Sequence, residues 1–280
     1  MATKEELLRL LDSEIPLLRV VAYQTIVARG EPDFFSILAG HLDDTASVTW
    51  WYFDDAAGYF KVSDLLIRSA KDHEQWSNVL SDSLVGLVLA DHRYLQNTHW
   101  MIEDIEPQER YYSIVREEVQ KPLDRCNRER AVFALARYRR TNDLSLIREA
   151  LLHGEENCRF IAFRAIEAFP DTSLFVVLQR HFDEVVTKKK QFSSNDLRLY
   201  CRAIVAYKDK RSAMLLDNLT KKETYPDAWY LPYNREYVLR AIGRNPSQIY
   251  DSLYSVLLPE MDSSALDGLD VWDYDDRKEW

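Results

Sequence analysis

Glycine is scarce in this chain, with seven in 280 residues, and proline is little commoner at nine. A sandwich or barrel needs many tight turns, so this shortage, set beside plentiful Ala, Leu, Arg and Glu, points to helices. Cysteine is scarcer still: Cys126, Cys158 and Cys201 are far apart and odd in number, with no CxxC. A disulfide framework is therefore not expected. Each thiol reads as filler of a small apolar slot, and a reducing cytoplasm is the expected compartment. No run approaches the roughly 18 continuous apolar residues of a membrane helix. The opening "MATKEELLRLL" reads as an amphipathic helix and lacks the parts of a secretory signal.

Chemical signatures are missing as well. There is no GxSxG, no phosphate-cradling glycine loop, no GxGxxG and no HExxH. The six histidines are scattered without a pair at i, i+4. His92 and His99, close to Glu103 and Asp104, read as a solvated helix end rather than a metal cluster. Cys201 has no placed histidine to activate it. Asp54-Asp55 alone fixes no geometry for a glycosidase or a metal. No catalytic residue, metal, nucleotide or flavin is expected. The formal charge of −10 tells against a nucleic-acid binder and against anionic membranes, and it suits a basic protein partner.

What the chain does contain is repetition. "NRERAVFALARY", "NCRFIAFRAIEAF", "DLRLYCRAIVAY" and "REYVLRAIGRN" align on an alanine: Ala134, Ala165, Ala203 and Ala241. A large aliphatic follows each time, as Leu135, Ile166, Ile204 and Ile242. Three residues earlier stand Ala131, Ala162, Tyr200 and Val238, and four later Tyr138, Phe169 and Tyr207, with Asn245 breaking the series. These spacings make one apolar stripe along a helix, and the alanine lets a neighbour approach closely. A second apolar helix follows each stripe, expected to be capped by Asp143, Asp171 or Asp209, and in the last copy to start at Pro246 and Ser247. A similar pair near the start uses Ile26 and Asp33.

The alanines lie 31, 38 and 38 residues apart. Such a period marks stacked helix pairs. On these residues the chain resembles the HEAT-like repeat proteins, well over residues 127–258 and tolerably over 14–42. The resemblance implies an all-α solenoid of antiparallel helix pairs and carries no functional residues with it. The expected organisation is one helical-repeat domain over residues 1–260 and an acidic, aromatic tail over 261–280.

Arginines also keep register. Arg19, Arg128, Arg159 and Arg235 lie six residues before the alanine position, and Arg164, Arg202 and Arg240 one before it. The two rows flank the stripe; they are expected to cover its edges and pair with acids rather than line a groove.

Three stretches depart from the repeat: "DDTASVTWWYFDDAAGYFKVSD", expected to be a long loop, "TKKKQFSSND", and "KKETYPDAWYLPYN". Since repeat positions hold neighbours together, a partner is best met by such departures and by the tail. The expected partner-binding residues are Trp50, Trp51, Tyr52, Asp54 and Asp55, then Tyr225, Trp229 and Tyr230. The tail contributes Asp270, Trp272, Asp273, Tyr274, Asp275 and Asp276. The function expected is that of a non-catalytic binding protein, such as a bacterial immunity protein neutralising a basic toxin. The alternatives are an enzyme of the helical-repeat DNA glycosylase type, and a phycobilisome-type lyase or chaperone.

Overall fold

The computed structural model describes residues 2–53, 56–95, 98–121, 126–155, 158–188, 194–221 and 231–260. Within them lie fifteen α-helices and one two-stranded antiparallel sheet. The chain falls into two compact units, the first from Met1 to Gln108 and the second from Glu109 onward. Among the described residues, no helix is long and apolar enough to cross a membrane.

In the first unit α1 (Lys4–Leu11) is opened by a capping box between Thr3 and Glu6. Pro16 then starts α2 (Pro16–Ala28). The helix ends at Gly30, whose φ of 68° is a left-handed conformation that favours glycine. After α3 (Phe34–Gly40) come the strands β1 (Ser47–Phe53) and β2 (Ala56–Lys61), then α4 (Val62–Lys71), α5 (Asn78–Asp91) and α6 (Thr98–Asp104). Helix α2 packs on α1 and α4, burying Val20, Tyr23, Ile26 and Val27.

The strands correct the expectation of a loop over residues 43–64. In "SVTWWYF", aromatic and β-branched residues alternate with exposure, Val48 buried and Thr49 and Trp51 exposed, which is the period of a strand. Helical periodicity had no purchase there.

The second unit contains α7 (Glu109–Gln120), α8 (Asn127–Arg137), α9 (Leu144–Leu152), α10 (Arg159–Ala168), α11 (Phe175–Lys188), α12 (Ser194–Val205), α13 (Lys210–Leu219), α14 (Leu231–Arg244) and α15 (Asp251–Leu257). The four repeated stripes are α8, α10, α12 and α14, and each packs on the next in that order. Ala134, Ala165, Ala203 and Ala241 are all buried at these contacts, as are the aliphatics that follow them. The rings of Phe163 and Tyr200 meet at 4.9 Å between α10 and α12. Helix α8 also packs on α9, α12 on α13, and α14 on α15.

The capping aspartates divide into two kinds. Asp209 caps α13 in a capping box with Ser212, and Asp171 accepts from the Ser173 N–H at 2.8 Å. Asp143 and Asp33 precede their helices without capping them. Asp143 is wholly buried and accepts instead from the Tyr112 hydroxyl and Arg116 Nε, both at 2.9 Å. Asp33 accepts from Lys4 Nζ at 2.8 Å, and that bond holds its carboxyl below the usual range. In both places a neighbouring cation outcompetes the helix N–H groups, as a charge-assisted bond can.

The cysteine expectation is also corrected. Cys126 and Cys158 form a disulfide, with Cα atoms 5.3 Å apart, while Cys201 is free and buried. Cys126 sits just before α8 and Cys158 just before α10. Two helix starts that the repeat stacks side by side bring together thiols 32 residues apart. The sequence pattern shows the stacking, but the thiols stand a few residues ahead of the aligned stripe.

Candidate functional site

The hairpin has one covered face and one open face. Its register pairs Val48 with Phe60 and Trp50 with Gly58, and in between Thr49 with Tyr59 and Trp51 with Ala57. Paired residues share a face and successive residues alternate, so Val48, Trp50 and Phe60 lie together on one side. Val48 is buried there, and Trp50 and Phe60 are half-buried. The other side carries Thr49, Trp51, Ala57 and Tyr59, all exposed. Trp51 is 64 % and Tyr59 79 % accessible, and as diagonal neighbours the two rings are within reach of each other. At the foot of the hairpin, Lys61 Nζ lies 4.8 Å from the ring centre of Tyr94 and donates to its carbonyl at 2.8 Å. The Tyr94 hydroxyl reaches Asp43 at 3.2 Å. Burial and that carboxylate both push its pKa up.

Of the residues expected to bind a partner, Trp51 therefore stands open and Trp50 turns to the covered side. Tyr52 lies on the strand. Asp54, Asp55, Tyr225, Trp229, Tyr230, Asp270, Trp272, Asp273, Tyr274, Asp275 and Asp276 lie outside the described residues. Tyr59 was not singled out in sequence, although its alternation with Phe60 around Gly58 was there to be read.

Most arginines of the two rows meet partners within the fold, whereas Arg128 Nε is buried with no hydrogen-bond partner among the described residues. Arg19 binds both oxygens of Asp44, at 2.6 and 2.9 Å, and the Ser13 carbonyl at 2.6 Å. Arg202 pairs with Glu167 at 3.0 Å and Arg240 with Glu236 at 2.6 Å. Arg235 donates to the Thr220 carbonyl at 3.3 Å. Arg164 lies over the ring of Phe133, 4.2 Å from its centre.

Histidine 92 closes the end of α5, with Nδ1 3.2 Å from Asp43 and 3.3 Å from the Tyr94 hydroxyl. Among the described residues, no group of three or more His, Cys, Asp or Glu side chains is arranged to hold a metal ion.

A second feature lay beyond sequence reasoning. In the second unit a cleft of about 190 Å³ opens between the first turn of α8, the end of α9, the start of α10 and the side of α11. Glu129 forms one wall, with Gly154 and Glu155 beside it. Cys158, Arg159 and Ala162 line it from α10, and Arg180, His181 and Glu184 from α11. Glu184 accepts from both Arg159 and Arg180 at 3.4 Å, and Arg180 also donates to the Leu152 carbonyl at 2.7 Å. These groups come from four helices and only stacking assembles them, which is why no spacing in the sequence marks them.

Neither a family model, nor a curated protein, nor a solved structure matches the chain.

Proposed function

We propose that this chain is a HEAT-like α-solenoid that binds a protein partner through the open face of its hairpin. The successive packing of α8, α10, α12 and α14, each with a following helix, supports the solenoid reading. One observation carries the binding reading: Trp51 and Tyr59 stand together in solvent on an element that interrupts the helices. Exposed aromatic pairs of this kind are the usual anchors of binding hot spots. The charge of −10 favours a basic partner, and a dedicated inhibitor of a basic toxin is the class that fits both features. The arginine rows, which would favour an enzyme gripping duplex DNA, are engaged by acids, carbonyls and a ring of their own fold. The pairing of Cys126 with Cys158 removes the argument for a reducing compartment, so the partner is sought without assuming one.

The test is affinity capture with the wild-type chain and with Trp51→Ala/Tyr59→Ala. A partner retained at fixed stoichiometry by the wild type should be lost from the double variant, whose circular dichroism stays unchanged. Equal retention by a folded double variant would move the binding surface elsewhere.

A further inference from the structure

We propose that the cleft in the second unit is a binding site for an organic cation, a guanidinium or primary ammonium group, with Glu129 as its counter-ion. Glu129 is only 5 % exposed, yet its carboxylate makes one hydrogen bond, accepting the Glu155 N–H at 3.0 Å through Oε1. An ionised carboxylate offers about four acceptor sites, and buried charges are ordinarily paired. No cation of the fold pairs with Glu129 among the described residues. Arg159 and Arg180, which line the same cleft, converge on Glu184 instead. Glu129 stands in the first turn of α8, where the helix dipole favours a negative charge. What remains is a carboxylate with open acceptor positions on the wall of an open cleft.

The cleft suits the guest in size. At about 190 Å³ it has the space of roughly six waters, enough for the head of an arginine or lysine side chain or a small free amine. It is also held in shape, because the Cys126–Cys158 disulfide joins the chain just ahead of α8 to the start of α10. Gly154 leaves room for the carboxylate: a Cβ there would stand 3.0 Å from Glu129 Oε1. This site does not depend on the hairpin reading, since its residues all belong to the other unit.

Isothermal titration of the full chain with methylguanidinium and L-argininamide tests the proposal. Saturable binding is expected, weakened about tenfold or more in Glu129→Gln, which keeps the shape and removes the charge. Gly154→Ala should weaken it too, by displacing the carboxylate. That variant decides the matter should Glu129→Gln fail to fold. A Gly-Arg-Gly peptide separates the sources of the cation. Binding of the peptide assigns the cleft to a side chain of a protein, and its exclusion assigns it to a free amine; either upholds the cation site. No saturable binding to the wild type, or undiminished binding to the folded variants, would overturn it.

Discussion

Tyr250 carries a single hydroxyl that serves three groups at the end of one helix and the start of another. The hydroxyl accepts from the Lys208 N–H at 3.0 Å, donates its own proton to the Val205 carbonyl at 3.1 Å, and lies 2.7 Å from Ser212 Oγ. The side chain is wholly buried. Tyr23, Tyr200 and Tyr207 do similar work, donating to the carbonyls of Phe34, Leu178 and Asp171 at 3.1, 2.7 and 2.9 Å. Sixteen tyrosines in a chain poor in glycine are thus partly explained: ring bodies fill the stack while hydroxyls satisfy polar backbone between helices. Tyr250→Phe removes only the hydroxyl and leaves buried partners unmet, so it should cost about 1–3 kcal/mol in chemical denaturation. Cys201 belongs to the same scale. Burial pushes its thiol pKa far up, so the native protein should show no fast-reacting thiol toward a disulfide reagent until it unfolds. A rapid native reaction would show that the site opens. Residue chemistry of this kind was only half legible beforehand. Tyr200 and Tyr207 belong to the aligned stripe, but the acceptors of their hydroxyls lie on other elements.

The repeated helices share more than their stripe. Five residues beyond the alanine, Arg139 after α8 and Lys208 after α12 take left-handed conformations, with φ of 51° and 50°. The same position after α10 and α14 is a proline, Pro170 and Pro246. Both solutions stop a helix before the next one begins. A non-glycine residue in that conformation costs about 1 kcal/mol, and the Lys208 backbone N–H keeps its bond to Tyr250 whatever the side chain. Lys208→Gly should therefore stabilise the fold by up to about 1 kcal/mol, and a lower melting temperature would contradict this account. The cap on the next helix gives a pH effect. Burial raises the Asp209 pKa, but the Ser212 N–H and the Arg211 guanidinium outweigh it and leave the carboxyl below its usual value. A depressed folded pKa contributes stability above the unfolded value, lost as pH falls through the folded one. Asp209→Ala should thus cost about 1 kcal/mol near neutrality, and the gap between variant and wild type should close in acid. Helices were legible because a stripe at i, i+3 and i+4 repeats four times in the chain and extends to i+7 in three of the copies. The hairpin was not, because its period-two alternation is short and crowded with rings on both faces, so that burial alone separates Trp50 from Trp51.

At the scale of the whole molecule, net charge and one aromatic pair would make different demands on the proposed association. A charge of −10 acts over distances set by the Debye length, about 10 Å at 0.1 M salt, and so would govern how fast the proposed basic partner arrives. Trp51 and Tyr59 would act only on contact, through apolar area removed from water, and so would govern how slowly that partner leaves. The two contributions should separate in one kinetic experiment with the captured partner. Raising salt from 0.05 to 0.5 M should slow association by about tenfold or more while leaving dissociation nearly unchanged. Trp51→Ala should do the reverse, speeding dissociation by an amount equivalent to about 2 kcal/mol or more with little effect on the association rate. Neither substitution nor salt should disturb the packed helices, because Trp51 stands in solvent and the repeat is held by buried alanines and aliphatics. If salt instead accelerates dissociation and Trp51→Ala leaves it untouched, the contact is made by charges and the hairpin face is a bystander.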